Sequence, residues 1–280
     1  MAAARKAPIA VIKRAWERIA PLQLAETSWD NVGVLVEAPF PKEKKQVLLT
    51  IDLTAAVCAE ALALPGCSVV IAYHPPIFKG LKSLTLSNPL QASLLKLAAS
   101  GISVFAPHTS LDATPKGINT WLVEPFKDVT ATSEVVDPTA QPPAGFEGAG
   151  MGRIVTLSRP LAVPDVVARV KKHLGVEYVQ LATPDEETPI TSIAVCAGSG
   201  GGVIGGTKAD MLVTGEMSHH EVLAKVASGQ SVILANHTNT ERGYLSAVLQ
   251  PWLEKELNTD DESGWEVLVS KKDADPLRTV

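Results

Sequence analysis

The sequence predicts an α/β fold on a largely parallel sheet, and three observations predict it. Short, almost uninterrupted apolar runs recur along the chain, as strands buried on both faces require. Segments with apolar residues at helical spacing separate those runs, which is the alternation that parallel strands need for their crossovers. Five of the six histidines stand within a few residues of such a run. They do so in SVVIAYHPPIF (68–78), ISVFAPHTSLD (102–112), DMLVTGEMSHH (210–220) and SVILANHTNTE (231–241).

The first element, IAVIKRAWERIA (9–20), carries its apolar residues on one helical face and is closed by Pro21. VGVLVE (32–37) and QVLLTIDL (46–53) read as strands, and Thr54 caps a helix over TAAVCAEALAL (54–64). CSVVIAYH, a helix over NPLQASLLKLAASG (88–101) stopped at Gly101, and ISVFAPH continue the alternation. Between 128 and 150 the pattern gives way to Pro, Gly, Ser and Thr, a connection that divides an N-terminal α/β half, 1–127, from a C-terminal half, 151–280.

In the second half GRIVTLSRP (152–160) and VEYVQLA (176–182) read as strands around a helix, VPDVVARVKKHLG (163–175), opened by Pro164. ITSIAVCAG, DMLVTG and SVILAN return to the buried-strand style, with SHHEVLAKVASG (218–229) as a helix between the last two. LSAVLQPWLEKELN (245–258) is a helix kinked at Pro251 and GWEVLVS (264–270) a final strand, both candidates to pack back on the N-terminal half.

The net charge is −5, and KEKK (42–45) is balanced by DDE (260–262), so no basic face is present for direct nucleic-acid binding. No stretch approaches the ~20 apolar residues of a bilayer helix. The start, MAAARKAPIA, lacks the apolar region of a secretory signal, which points to the cytoplasm with a short mitochondrial presequence as the alternative. Cys58, Cys67 and Cys196 form no CxxC pair and read as buried thiols in a reducing compartment.

In an open parallel sheet, ligands bind outside the carboxyl ends of the strands. His74, His108, Asp112, His237 and Glu241 can converge there as imidazoles and carboxylates suited to Zn, Mn or Fe. His237 and Glu241 are four apart, so a helix begun at Thr238 places both on one face. His108 and Asp112 share that spacing, but Pro107 and Pro115 predict a loop, where an Asp capping its own backbone is the competing reading. A single histidine at a strand end is more often a hydrogen-bonded structural residue. The repetition of the ending, with carboxylates at repeated spacing, favours a metal.

GSGGGVIGG (198–206) spells G-x-G-x-x-G at Gly200, Gly202 and Gly205, but no helix-forming pattern follows where a dinucleotide site needs one. A tight turn, or the amides of Ser199 to Gly202 gripping an anion, are the readings left. SWDN (28–31) and the Lys79 and Lys82 pair are candidates to meet a substrate or partner surface, with a solvated face the favoured reading for the lysines, and Trp29 reads as core rather than as a stacking platform.

Five blocks stand in the order AETSWDNVGVLVE (25–37), AYHPPIFKGLKSL (72–84), PHTSLDATPKGINTWL (107–122), VTGEMSHHEVL (213–223) and NHTNTERG (236–243). Together they resemble the signature blocks of the Ngg-interacting-factor-three family, the GTP cyclohydrolase I type 2 homologues, over nearly the whole chain. The resemblance implies two interlinked α/β layers with mostly parallel sheets and a metal site in the cleft at the strand C-terminal ends. It also implies a two-metal site with ligands on His74, Asp112, His237 and Glu241, and Asp112 between ions ~3.5–4 Å apart. Tyr73–His74 stands where bacterial relatives have two adjacent histidines, which marks the eukaryotic branch and leaves His108 or water to fill the second position.

His219 and His220 are read as helix N-terminal residues facing the cleft, oriented by Glu216, with His220 meeting substrate or a metal-bound water. The expected cofactors are one to two divalent ions per chain, from Zn, Fe, Mn, Co or Ni. The expected activity is metal-dependent hydrolysis of an unknown small molecule, nucleotide-like by the family title, with Glu241 or His220 as proton carrier. The alternative is a non-catalytic metal chaperone or a transcription-linked adaptor with a protein partner. Apolar helices and the assembly of similar proteins predict a homo-oligomer, dimer or hexamer.

Overall fold

A computed structural model describes residues 7–259 and 263–277; the first six residues of the basic start and the acidic 260–262 lie outside the described residues. The chain divides into two compact units, Met1–Leu111 with Tyr244–Ala274, and Asp112–Gly243 with Asp275–Val280.

Helix α1 (Pro8–Ile19) buries Ile9, Ile12, Trp16 and Ile19, spaced three or four apart on one face. Strands β1 (Gly33–Val36) and β2 (Gln46–Thr50), helix α2 (Ala55–Ala63), strand β3 (Cys67–Ala72), helix α3 (Pro89–Ala99) and strand β4 (Ser103–Ala106) follow. The Thr54 and Asn88 side chains accept from the first amides of α2 and α3, which fixes where each helix starts. One short turn of helix, α4 (Thr109–Ala113), comes next.

The second unit contains α5 (Ile118–Val123), β5 (Thr130–Pro138), β6 (Gly150–Leu161), α6 (Val163–Leu174), β7 (Gln180–Ala182) and β8 (Ile190–Cys196). It goes on through α7 (Gly201–Ile204), β9 (Met211–Thr214), α8 (His219–Ala227) and β10 (Ser231–Leu234). The chain then passes α9 (Arg242–Tyr244) and returns to the first unit with α10 (Gln250–Leu257) and β11 (Glu266–Val269).

The first sheet has the order β1-β4-β3-β2-β11, parallel except for β1 against β4. The second has the order β5-β6-β8-β9-β10-β7. There β8, β9 and β10 run parallel, while β5 with β6, β6 with β8 and β10 with β7 are antiparallel. The α/β class holds; parallel pairing prevails in the first sheet and the second is mixed. Leu48, Val57, Val70, Leu94, Leu97 and Val104 form one core beneath the first sheet, and Ala194, Ile204, Leu212 and Val232 another in the second unit. Each fully buried Leu or Val contributes roughly 1.5–3 kcal/mol. All three cysteines are buried and free. Among the described residues no helix is long and apolar enough to cross a membrane.

Four local readings are corrected. The segment 128–150, read as a connection, contains a strand that the sequence pattern did not signal: β5 pairs with β6 along Thr130–Pro138, and the stretch between those two strands is irregular. Asp112 lies in the helical turn α4, which Pro107 and Pro115 flank rather than prevent. Only Gln180–Ala182 of VEYVQLA is strand. The helix expected over 245–258 begins as a π-type turn over Leu245–Leu249 and continues through Pro251 into α10 without a break.

Candidate metal centre

In the first unit, the β2–β3 ladder sets Thr50 opposite Ala72, so two residues further along both chains Asp52 comes beside His74. The ladder continues there, with Tyr73 N donating to Thr50 O at 2.9 Å and His74 N to Ile51 O at 3.0 Å. Asp52 Oδ1 lies 2.9 Å from His74 Nδ1. A carboxylate on one ring nitrogen orients the imidazole and directs the other, Nε2, toward a metal.

The same device follows β4. His108 Nδ1 is 2.7 Å from Asp30 Oδ1, and the second Asp30 oxygen accepts from Thr109 N at 3.2 Å. Burial alone would raise the Asp30 pKa, but the bonds from His108 and Thr109 outweigh it and hold the carboxyl below its usual range. An ionised Asp30 is an acceptor placed for a hydrogen bond from Nδ1 of His108. His108 has φ +33°, a left-handed backbone of the kind that is retained where side-chain aim matters. Tyr73 is buried and its ring packs 4.9 Å from His74 and 5.3 Å from His108.

In the second unit, Asn236 at φ +66° turns the chain out of β10 into His237. Glu216 Oε2 lies 2.9 Å from His237 Nδ1, and His237 Nε2 lies 3.4 Å from Glu241 Oε1. The four-residue spacing does bring His237 and Glu241 together, through a 3-10 turn over Thr238–Thr240 rather than an α-helix. Glu216 orients His237, not His219 and His220 as expected from sequence. Glu241 is 1 % exposed and Asp112 8 %. The Cys196 thiol is pushed far up by burial and then by the negative charges of Asp112 and Glu241, so both carboxylates bear on the end of β8. Asn119 fixes the Asp112 turn there, donating from Nδ2 to Asp112 O at 3.1 Å and accepting from Ala197 N at 3.0 Å.

Gly198 lines this pair. With φ +61°, it sits where an added Cβ would stand 2.7 Å from Glu241 Oε1 and 2.8 Å from His237 Nε2. Its N–H donates to Thr240 Oγ1 at 2.8 Å, and its carbonyl accepts from Thr214 Oγ1 at 3.1 Å and Glu216 N at 2.9 Å. The glycine run therefore serves close packing around His237 and Glu241, and Gly200 N is taken up by Thr214 Oγ1 at 3.0 Å. His219 and His220 are exposed at the start of α8, behind a capping box made by Ser218 and Glu221. Trp29, expected in the core, is exposed. In the second unit His237 and Glu241 are a nitrogen and an oxygen donor of the kind that hold a metal ion, and in the first unit His74 offers a further imidazole. Sequence reasoning missed Asp52 and the roles of Asp30, Glu216 and Gly198.

A family model described as Duf34/NIF3 (NGG1p interacting factor 3) matches residues 8–276. The chain belongs to the NIF3 family. Protein NIF3 homolog of Schizosaccharomyces pombe is 45% identical over 271 residues, covering 96% of this chain and 97% of its own. NGG1-interacting factor 3 of Saccharomyces cerevisiae is 38% identical, covering 97% of each chain. Both agree with the eukaryotic branch of NIF3 proteins that Tyr73–His74 indicated. A Bacillus cereus protein related to NIF3 superposes with a TM-score of 0.85 at 19% identity, covering 99% of this chain and 100% of that one. A hypothetical protein of Staphylococcus aureus gives 0.82 at 24% identity, covering 99% and 100%. These two support the NIF3 fold alone.

Proposed function

We propose that this NIF3-family chain is a divalent-metal protein whose centre serves hydrolysis of a small molecule. His74, Asp112, His237 and Glu241 are the ligands, and His108 serves the second position in place of the imidazole that Tyr73 replaces. One observation carries the reading: three strand-end histidines, His74, His108 and His237, each have Nδ1 against a carboxylate, from Asp52, Asp30 and Glu216. That arrangement orients an imidazole for metal binding and raises its basicity. Mixed nitrogen and oxygen donors suit one to two ions of Zn, Fe, Mn, Co or Ni.

When bound, paired ions lower the pKa of water and polarise a phosphoryl, amide or ring bond. The chain's own residues then divide the remaining work. Buried Glu241 is the group to take up a proton beside the metals, and exposed His220 exchanges protons with solvent or substrate. Glu216 keeps His237 in one orientation throughout. Buried free cysteines suit a reducing compartment, the cytoplasm or the mitochondrial matrix.

A second reading rests on the Saccharomyces cerevisiae relative, which is named an NGG1-interacting factor. By that likeness this chain is a metal-binding adaptor with a protein partner, assembled as a homo-oligomer. Elemental analysis after chelator-free purification, then a broad hydrolase and nucleotide screen with and without chelator, separates the two. Chelator-sensitive turnover supports hydrolysis, and tight metal without turnover supports the adaptor. Absence of metal, with no uptake on reconstitution, overturns both.

A further inference from the structure

Trp29 is the misplaced side chain of the first unit. Tryptophan is highly buried on average, yet Trp29 is 53 % exposed and its neighbour Phe78 45 %. The two rings meet at 6.1 Å with a tilt of 48°. His108 stands edge-on to both, 6.0 Å from Trp29 and 6.4 Å from Phe78.

The frame that carries them is fixed. Asn31 Nδ2 donates to Ile77 O, which ties the loop of Trp29 to the loop of Phe78. Ser28 N donates to the Glu26 carboxylate at 3.1 Å, and Glu26 N to Thr109 Oγ1 at 3.0 Å. Asp30, next to Trp29 in the chain, is held by His108 and Thr109. Exposed aromatic rings on a bonded frame are of little use to folding, but they are organised in advance for a ligand and lose little entropy on binding it.

We propose that Trp29 and Phe78 form a stacking platform for a planar heteroaromatic ring beside His108. The proposal rests on the metal-centre reading, in that the ring belongs to the molecule offered to the centre. A flat π-face pairs with an indole face regardless of ring identity, so the platform selects a class rather than one compound. Lys79 and Lys82 are exposed on the loop that carries Phe78, which favours a ring with an anionic tail.

The test uses the metal-loaded full chain and isothermal titration with the four common nucleoside 5′-monophosphates and nicotinate, against ribose 5-phosphate as a tail without a ring. At least one ring probe should bind about ten-fold tighter than ribose 5-phosphate. Trp29→Leu and Phe78→Leu should each lose about ten-fold of that affinity while Trp29→Phe keeps most of it. Metal content is measured on the same samples. A chain that takes up no metal fails the earlier reading, whereas a metal-loaded chain that prefers no ring probe to ribose 5-phosphate overturns this one. Unchanged ring affinity in both leucine variants also overturns it. So does a fall in oligomeric mass in Trp29→Leu without loss of ring affinity, which makes the pair a protein contact.

Discussion

The carboxylate of Glu216 holds Nδ1 of His237 at 2.9 Å. Glu216 is itself exposed, so its replacement leaves the core untouched and acts through His237 alone. Glu216→Gln removes the charge that orients the imidazole. Metal affinity should fall about 10–100-fold, with the melting temperature of the metal-free chain unchanged. Competition against a chromophoric chelator reads the affinity, and equal affinity in the two proteins would refute the orienting role.

The two buried carboxylates should matter more. Glu241→Gln and Asp112→Asn keep nearly the same volume but remove the negative charge that balances a dication, so each should cost at least about 100-fold in metal affinity while the fold persists. His220→Ala should behave oppositely, keeping metal near wild type while any chelator-sensitive activity falls. Metal stoichiometry and melting temperature on the three variants decide it. Full metal in both carboxylate variants would make Asp112 and Glu241 structural only.

Much of this was legible in the chain because buried parallel strands announce themselves. QVLLTIDL, CSVVIA and DMLVTG are continuous apolar runs, and the histidines that follow them fall at strand ends for that reason. Strand β5 gave no such signal, since TATSEVVDP lies along a sheet edge with most of its residues exposed. Asp52 was invisible as a partner of His74 until the β2–β3 register set Thr50 opposite Ala72. The glycine run that begins at Gly198 left a tight turn or an anion grip as readings, and only the approach of Glu241 and His237 to the missing Cβ of Gly198 shows what that glycine is for. Trp29 was assigned to the core by residue type, which says nothing about a ring held at the surface by its neighbours' hydrogen bonds.

Gly198→Ala tests that packing directly. A left-handed backbone at φ +61° costs a non-glycine residue roughly 1–3 kcal/mol, and the new methyl would press on Glu241 Oε1 and His237 Nε2. Both the melting temperature and metal uptake should fall. Gly202→Ala is the control, because nothing lies within 4 Å of its added Cβ. Equal metal uptake in the two alanine variants would mean that the glycine only shapes a turn.

Asp210 offers a pH test away from the metal residues. Its Oδ2 accepts from Thr191 N at 2.7 Å, Thr191 Oγ1 at 2.6 Å and Ser192 N at 3.0 Å, which ties the start of β9 to β8. Burial would raise its pKa, but those bonds outweigh it and the carboxyl is held below its ordinary value. A group with a depressed folded pKa contributes stability that is complete above its unfolded value, near about 3.9, and is lost as the pH falls through the lower folded value. Asp210→Asn should therefore be less stable than wild type at pH 7, by about 1 kcal/mol once solvent screening of a half-exposed carboxylate is allowed for. The gap should close on acidification, because wild type then loses the same charged acceptor. Melting temperatures of both proteins between neutral and strongly acid pH measure it, and a gap that stays constant across that range would show that the Asp210 charge contributes nothing.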